Sequence, residues 1–423
     1  MTGHQQLQRR LGVFDATSIG LGSMLGAGVF VAFAPAAGLA GNFLVLSVLV
    51  AGFVAYCNAV ASAELAARYP ASGGTYVYGR KRLGEWPGFI AGWGFVTGKS
   101  ASCAAMALTF GHYVAPQFAV PVALAAVVAL TGVNLLGITR TALLTRILLA
   151  VVLATLVFVA AASIIGPHPA GIPSGGEASA GGAPATGAAT FGGVLPAAGL
   201  MFFAFAGYAR IATLGEEVKD PAKTIPRAIL AALASAFGIY LLLALLLLNH
   251  LSPAGLAGTP TPLLEAVRNS SLAAGAPIVQ AGAAAACLGA LLALITGVGR
   301  TTLAMARERD LPGPLAHVGG KHTVPFVAEL AVAAVVIVLL LTTDVMTVVG
   351  FSSFGVLIYY AVTNAAAYTL AEHPAFAPRW LNVAGFLSCL LLAFTLPAAS
   401  VLGMAAVLAA GAAGRFLVVR FRR

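Results

Sequence analysis

Gly22-Ser-Met-Leu-Gly-Ala-Gly-Val-Phe30 sets three glycines inside the first long apolar run of the sequence. Glycine weakens a helix by about 1 kcal/mol relative to alanine. In lipid, an interrupted helix is tolerated only where its freed N–H and C=O groups line a protein cavity. The spacing therefore predicts an unwound stretch whose chemistry is that of bare peptide groups. Amides at the start of a half-helix carry partial positive charge and suit an anion. The competing reading is a close-packing surface, since Gly22 and Gly26 also fit a small-xxx-small contact. Lys99 is the second residue with chemical capacity. It stands eleven residues beyond Gly88, about 16 Å along a helix and near the middle of a hydrocarbon layer about 30 Å thick. A lysine at that depth faces a cavity or a partner, and it is a candidate proton exchanger. The structural alternatives are snorkelling, which the depth disfavours, and pairing with helix-end carbonyls.

The elements that must position these groups follow from composition. The chain has 423 residues, 60% of them hydrophobic and 9% charged, with mean hydropathy +0.96. That places it among membrane proteins. The net charge of +10 sits in short loops between apolar runs and reads as a topology signal, not as a nucleic-acid surface. Runs of about 20 residues predict an all-α protein of about twelve transmembrane helices. With Arg9 and Arg10 cytoplasmic, Arg68, Arg80, Lys81, Arg82, Arg307, Arg379 and the C-terminal arginines also fall inside, and Arg268 alone falls outside. Both termini are then cytoplasmic. Cys57, Cys103, Cys287 and Cys389 lie inside apolar runs and read as small core residues. No removable signal peptide is expected.

The predicted organisation is a cytoplasmic segment 1–12, a first half 13–165 with five helices, and a flexible extracellular loop 166–191. A second half 192–371 with five helices follows, and 372–423 holds two further helices and a basic tail. An odd number of spans per half makes the halves inverted. The sixth span carries Phe202-Phe-Ala-Phe-Ala-Gly-Tyr208, with Gly207 mid-span. Interrupted helices at corresponding positions of two inverted halves point to a secondary-transporter binding site.

At these residues the chain resembles the amino acid–polyamine–organocation (APC) transporter superfamily. Gly26-Ala-Gly-Val-Phe30 is similar to its first-helix motif. Phe202–Tyr208, with Glu216-Glu-Val-Lys-Asp-Pro221 and Ile225-Pro-Arg-Ala228, resembles its sixth helix and following loop. Tyr69-Pro-Ala-Ser-Gly-Gly-Thr-Tyr76 and the stretch Arg300–Pro312 resemble two further stretches in the right order. The resemblance implies a LeuT-like five-plus-five inverted repeat with two extra helices, working by alternating access. It implies a substrate carboxylate on the amides of Ala27 and Gly28, with Ser23, Met24 and Gly26 lining the break. The substrate amino group would meet carbonyls at Met24 and around Phe203, Ala204, Phe205 and Ala206, beside Gly207. Phe203 and Phe205 are candidates to cover the substrate, or are plain core. Tyr208 and Arg210 are candidate gating residues; Arg210 equally suits a carboxylate or helix end in a cytoplasmic vestibule. Thr296, near Ala293, falls where relatives place a sodium ion, although a helix threonine bonding its own backbone is commoner. Relatives that need no cation often carry a lysine on the fifth helix, which here falls near Val152. Glu216 and Glu217 suggest inner-gate ion pairs, Glu64 a partner in a basic loop, and Asp15 a helix N-terminal acid.

No carboxylate lies mid-span, so the sequence favours a neutral or acidic amino acid over a polyamine or arginine, which needs a carboxylate or an aromatic cage. Lys99 and the lack of a hydroxyl cluster favour proton coupling or exchange over sodium. No H-E-x-x-H, G-x-S-x-G or P-loop motif occurs, and no charge ring or repeated filter suggests a channel. No cofactor or metal is expected. The expectation is a secondary active amino acid transporter in the cytoplasmic membrane, with the proton as coupling ion. The alternatives are a sodium-independent exchanger or exporter and, further behind, an organic amine carrier.

Overall fold

The computed structural model describes residues 11–69, 73–136, 142–165, 191–212, 218–319, 324–374 and 376–421. The loop 166–190 and the pair Glu216 and Glu217 lie outside them. Among the described residues the chain is helical throughout, with two isolated β-bridges and no strand. The first apolar run is divided into α1 (Val13–Met24), α2 (Ala27–Val31) and α3 (Phe33–Ala40). Then come α4 (Leu44–Arg68), a short α5 (Thr75–Leu83), α6 (Glu85–Val114), α7 (Ala119–Leu135) and α8 (Ala142–Ile165). The sixth run is α9 (Val194–Phe205), one 3-10 turn at Ala206–Tyr208, and α10 (Ala209–Ala212). The rest comprises α11 (Pro221–Ala257), α12 (Pro262–Arg268), α13 (Ala276–Arg307), α14 (Phe326–Thr342), α15 (Val345–Tyr368), α16 (Arg379–Thr395) and α17 (Ala398–Phe421).

Nine helical stretches among the described residues are long and apolar enough to cross a membrane. The sequence predicted about twelve. Two of the others, α14 and α16, are apolar but only 17 residues long. The third, α6, is 30 residues long, with Lys99 and several glycines and serines diluting its hydropathy. Large apolar side chains stand exposed along the outer helices, including Val128, Val157, Val338, Leu387 and Leu402. An apolar exterior of this kind is what lipid contact requires.

The two interrupted elements form the centre. α1 packs on α11 and α8 and meets the 3-10 turn after α9, while α9 packs on α4 and α3. α6 runs along both α13 and α15. The start of α1 is fixed by Asp15, which accepts from the Gly12 amide at 3.3 Å and pairs with Arg146 of α8. A carboxylate at a helix start also complements the helix dipole.

At one end of the bundle the basic residues are tied down. Asp310, just past α13, accepts from Arg80 of α5 at 2.8 Å, from the Tyr76 hydroxyl at 2.8 Å, and pairs with Arg415 of α17 at 3.1 Å. Burial first, and then the Asp310 carboxylate, push the Tyr76 phenol up and keep it a donor. Arg415 also reaches Glu85 at the start of α6, at 3.0 Å, and its guanidinium covers the rings of Trp86 and Phe89. Nearby, Glu64 lies 3.7 Å from Arg68 and 3.3 Å from His373, a residue of the α15–α16 loop.

Candidate functional site

The breaks arise from local chemistry. α1 stops at Met24, Gly26 takes a non-helical conformation (ψ −136°), and α2 begins at Ala27. The last carbonyls of α1 and the first amides of α2 thus lose partners within their own helices. Two glycines let the breaks touch. A Cβ on Gly28 would lie 2.6 Å from the Ala204 Cα of α9, and one on Gly207 would lie 2.5 Å from the Met24 amide nitrogen. Both would collide with backbone, which cannot swing aside. Gly22 has no such neighbour; its nearest would be a Thr145 methyl at 4.0 Å.

Between the breaks, α6 and α13 lies a cavity of about 60 Å³. Of the residues singled out from the sequence, it brings together Ser23, Met24, Gly28, Phe203, Ala206, Gly207, Lys99, Arg210 and Ala293. Lys99 is 6% exposed, and its Nζ donates to the Ala206 carbonyl at 3.3 Å. That carbonyl belongs to the interrupted part of the sixth run, so the buried ammonium is partnered by a helix break. Ser23 Oγ donates back to Ile19 O at 2.8 Å. Among the described residues that line the cavity, none carries a carboxylate side chain.

The other singled-out residues lie outside the lining. Gly26 faces α13, where an added Cβ would meet the Ala290 methyl at 2.6 Å. Ala27 is fully buried beside it. Ala204 forms the surface against which Gly28 packs. Phe205 packs its ring edge-on to Tyr240 of α11, with centroids 4.9 Å apart. Tyr208 packs against Tyr360 of α15, with ring centroids 5.2 Å apart and the planes tilted by 31°. Thr296 Oγ1 donates to Leu292 O within its own helix at 3.2 Å.

Several lining residues had not been singled out. Phe95, Ser102 and Met106 share the cavity with Lys99, spaced i, i+4, i+7 and i+11 along one face of α6. Ala290, Leu294, Gly297 and Thr301 do the same on α13. Extending the helical face from Lys99 by three and four residues would have found the first set.

The sequence matches the family described as amino acid permease over residues 11–413. This chain belongs to that family. It is an amino acid permease of the APC superfamily, a multi-pass membrane transporter and not an enzyme. The permease is 56% identical over 408 residues to an uncharacterized transporter of Mycobacterium tuberculosis, covering 96% of this chain and 91% of that one. It is 27% identical to a branched-chain amino acid permease of Bacillus subtilis, over 77% of this chain and 73% of the relative. It is also 28% identical to a chloroplastic cationic amino acid transporter of Arabidopsis thaliana, over 86% of this chain and 66% of the relative.

Proposed function

We propose that the permease is a secondary active transporter that carries a neutral amino acid across the cytoplasmic membrane by alternating access. The observation that carries this reading is the cavity bounded by both helix breaks, with the Lys99 ammonium bound to the Ala206 carbonyl. The architecture proposed for it is the inverted pair of five-helix halves, 13–165 and 192–371, flanking the loop 166–191. The substrate carboxylate is placed at the Ala27 and Gly28 amides, where α2 begins and Gly28 reaches the cavity. Cytoplasmic termini are supported by the clustering of Arg68, Arg80, Arg82 and Arg415 at one end of the bundle; positive residues favour that side.

Of the relatives described above, one is named for branched-chain and one for cationic amino acids. The cavity favours the former. A cationic side chain needs a carboxylate or an aromatic cage, whereas Met24, Phe203 and Leu294 offer apolar contact and Lys99 and Arg210 add positive charge. Lys99 is also the group proposed to take up and release the coupling proton.

The test is an uptake panel in proteoliposomes, comparing leucine, glutamate, arginine and putrescine with and without an imposed pH gradient. The expected result is saturable leucine uptake that the gradient changes in wild type and leaves unchanged in Lys99→Met. Full gradient-driven uptake in Lys99→Met removes the proton role from Lys99. Saturable arginine or putrescine uptake at micromolar concentration overturns the substrate class.

A further inference from the structure

Glu329 stands in the first turn of α14 and is fully buried. Neither of its carboxyl oxygens has a hydrogen-bond partner among the described residues. Asp15, Glu64, Glu85, Glu308 and Asp310, by contrast, each face an arginine. An ionised carboxylate enclosed without a donor is among the costliest groups a fold can bury. The amides that open α14 favour negative charge, but the carboxyl accepts from none of them. A helix dipole alone returns a fraction of the cost.

The neighbours give little more. α14 packs on α13, α6, α7 and the turn Gly313–Ala316. α7 and that turn bring no ionisable side chain, and His317 beyond the turn lies against Phe326. The side chains able to carry charge near neutral pH are Glu85, Lys99 and His112 on α6, and Arg300 and Arg307 on α13. Arg300 is the one whose charge reaches Glu329, and it stands exposed on the surface of α13. Gly299 makes the room. A Cβ there would lie 2.8 Å from the Glu329 Cγ. Gly297 and Thr301, which line the cavity, are each two residues from Gly299, about 200° around the helix axis. α13 thus presents one face to the cavity and the opposite face to Glu329.

We propose that Glu329 is a proton-binding site, a carboxylic acid in this state and a carboxylate paired with Arg300 in the state that releases the proton. On release the O–H bond of the acid breaks and the proton passes to water. The negative charge left on the carboxylate meets the guanidinium one residue beyond Gly299. Because α13 stands between Glu329 and the cavity, parting α13 from α14 links this proton to the substrate site. The inference adds a second proton group to Lys99, and for its part in transport it rests on the proton-coupled reading.

Infrared spectroscopy of the purified permease tests proton binding without transport. Glu329→Gln keeps the shape of the acid and removes its proton chemistry. The difference between wild type and variant at neutral pH is expected to show the C=O stretching band of a carboxylic acid, and its absence overturns the proposal. Arg300→Gln, at an exposed position, serves if Glu329→Gln does not fold. The acid band should then persist to higher pH, since the carboxylate has lost its partner, and an unchanged pH dependence overturns the proposal. In proteoliposomes, Glu329→Gln is expected to keep leucine counterflow. It should lose about tenfold of the accumulation driven by an imposed pH gradient, within the usual range of coupling between two sites. Full gradient-driven accumulation in the variant overturns the proposal. Wild-type leucine uptake that no gradient changes, or no leucine transport at all, overturns the proton-coupled reading instead, and the infrared band then decides whether Glu329 binds a proton.

Discussion

Gly28 and Gly207 are the residues through which the two breaks meet, and they yield the most direct prediction at the residue scale. A methyl on Gly28 would sit 2.6 Å from the Ala204 Cα, and one on Gly207 would sit 2.5 Å from the Met24 nitrogen. Overpacking of this kind costs about 1–3 kcal/mol. Gly28→Ala and Gly207→Ala are each expected to lower the melting temperature in detergent and to reduce uptake at least tenfold. Gly22→Ala is the contrast. Its methyl meets Thr145 at 4.0 Å, an ordinary contact, and alanine is the better helix former by about 1 kcal/mol. Its melting temperature should hold or rise. The sequence made all three glycines conspicuous. Which of them touch the second break was not legible, because that depends on how α2 and α9 lie against each other.

At the element scale, polar side chains inside the bundle act as staples between helices. Asn364 of α15 donates to the Asn58 side-chain oxygen of α4 at 2.6 Å, and Cys389 of α16 donates to the same oxygen at 3.2 Å. Hydrogen bonds between membrane helices average about 0.6 kcal/mol and reach about 1.7. Asn58→Leu removes the staple from three helices at once and should approach the upper value. Ser102→Ala removes one hydroxyl pair, the 2.6 Å contact with Ser352 between α6 and α15, and should lie near the average. Chemical unfolding in detergent measures both, and equal losses would contradict the staple. The helices themselves were legible in the apolar runs. The partners were not, since Asn58 and Asn364 are 306 residues apart and neither periodicity nor hydropathy links them.

At the scale of the whole molecule, the Asp310 carboxylate joins the beginning of the chain to its end. Arg80 and Arg415 both converge on it, and the side chains of Asp310 and Arg415 are each 4% exposed. Removing one partner of a buried pair is destabilising by about 3–5 kcal/mol. Glu85, which is exposed, still faces Arg415, so Asp310→Asn is expected at the low end, about 3 kcal/mol. Thermal unfolding should show this loss at low and high salt alike, because buried pairs are screened little. Substituting Glu308, which is largely exposed and 3.4 Å from Arg80, should cost under about 1 kcal/mol.

The sequence by itself determined the membrane class, the helical architecture, the two interruptions and the membership of an amino acid permease family. Each of these is written in local signals: runs of apolar residues, glycines within them, and short motifs in order. Tertiary structure decided which groups share the cavity. It turned Lys99 onto the Ala206 carbonyl, turned Phe205, Tyr208 and Thr296 away from the lining, and brought the hydroxyl of Tyr240 to both breaks. A helix commits its side chains to fixed angles around its axis. Which angle faces the cavity is settled only when helices distant in sequence have packed, and that rotation leaves no trace in any one stretch of residues.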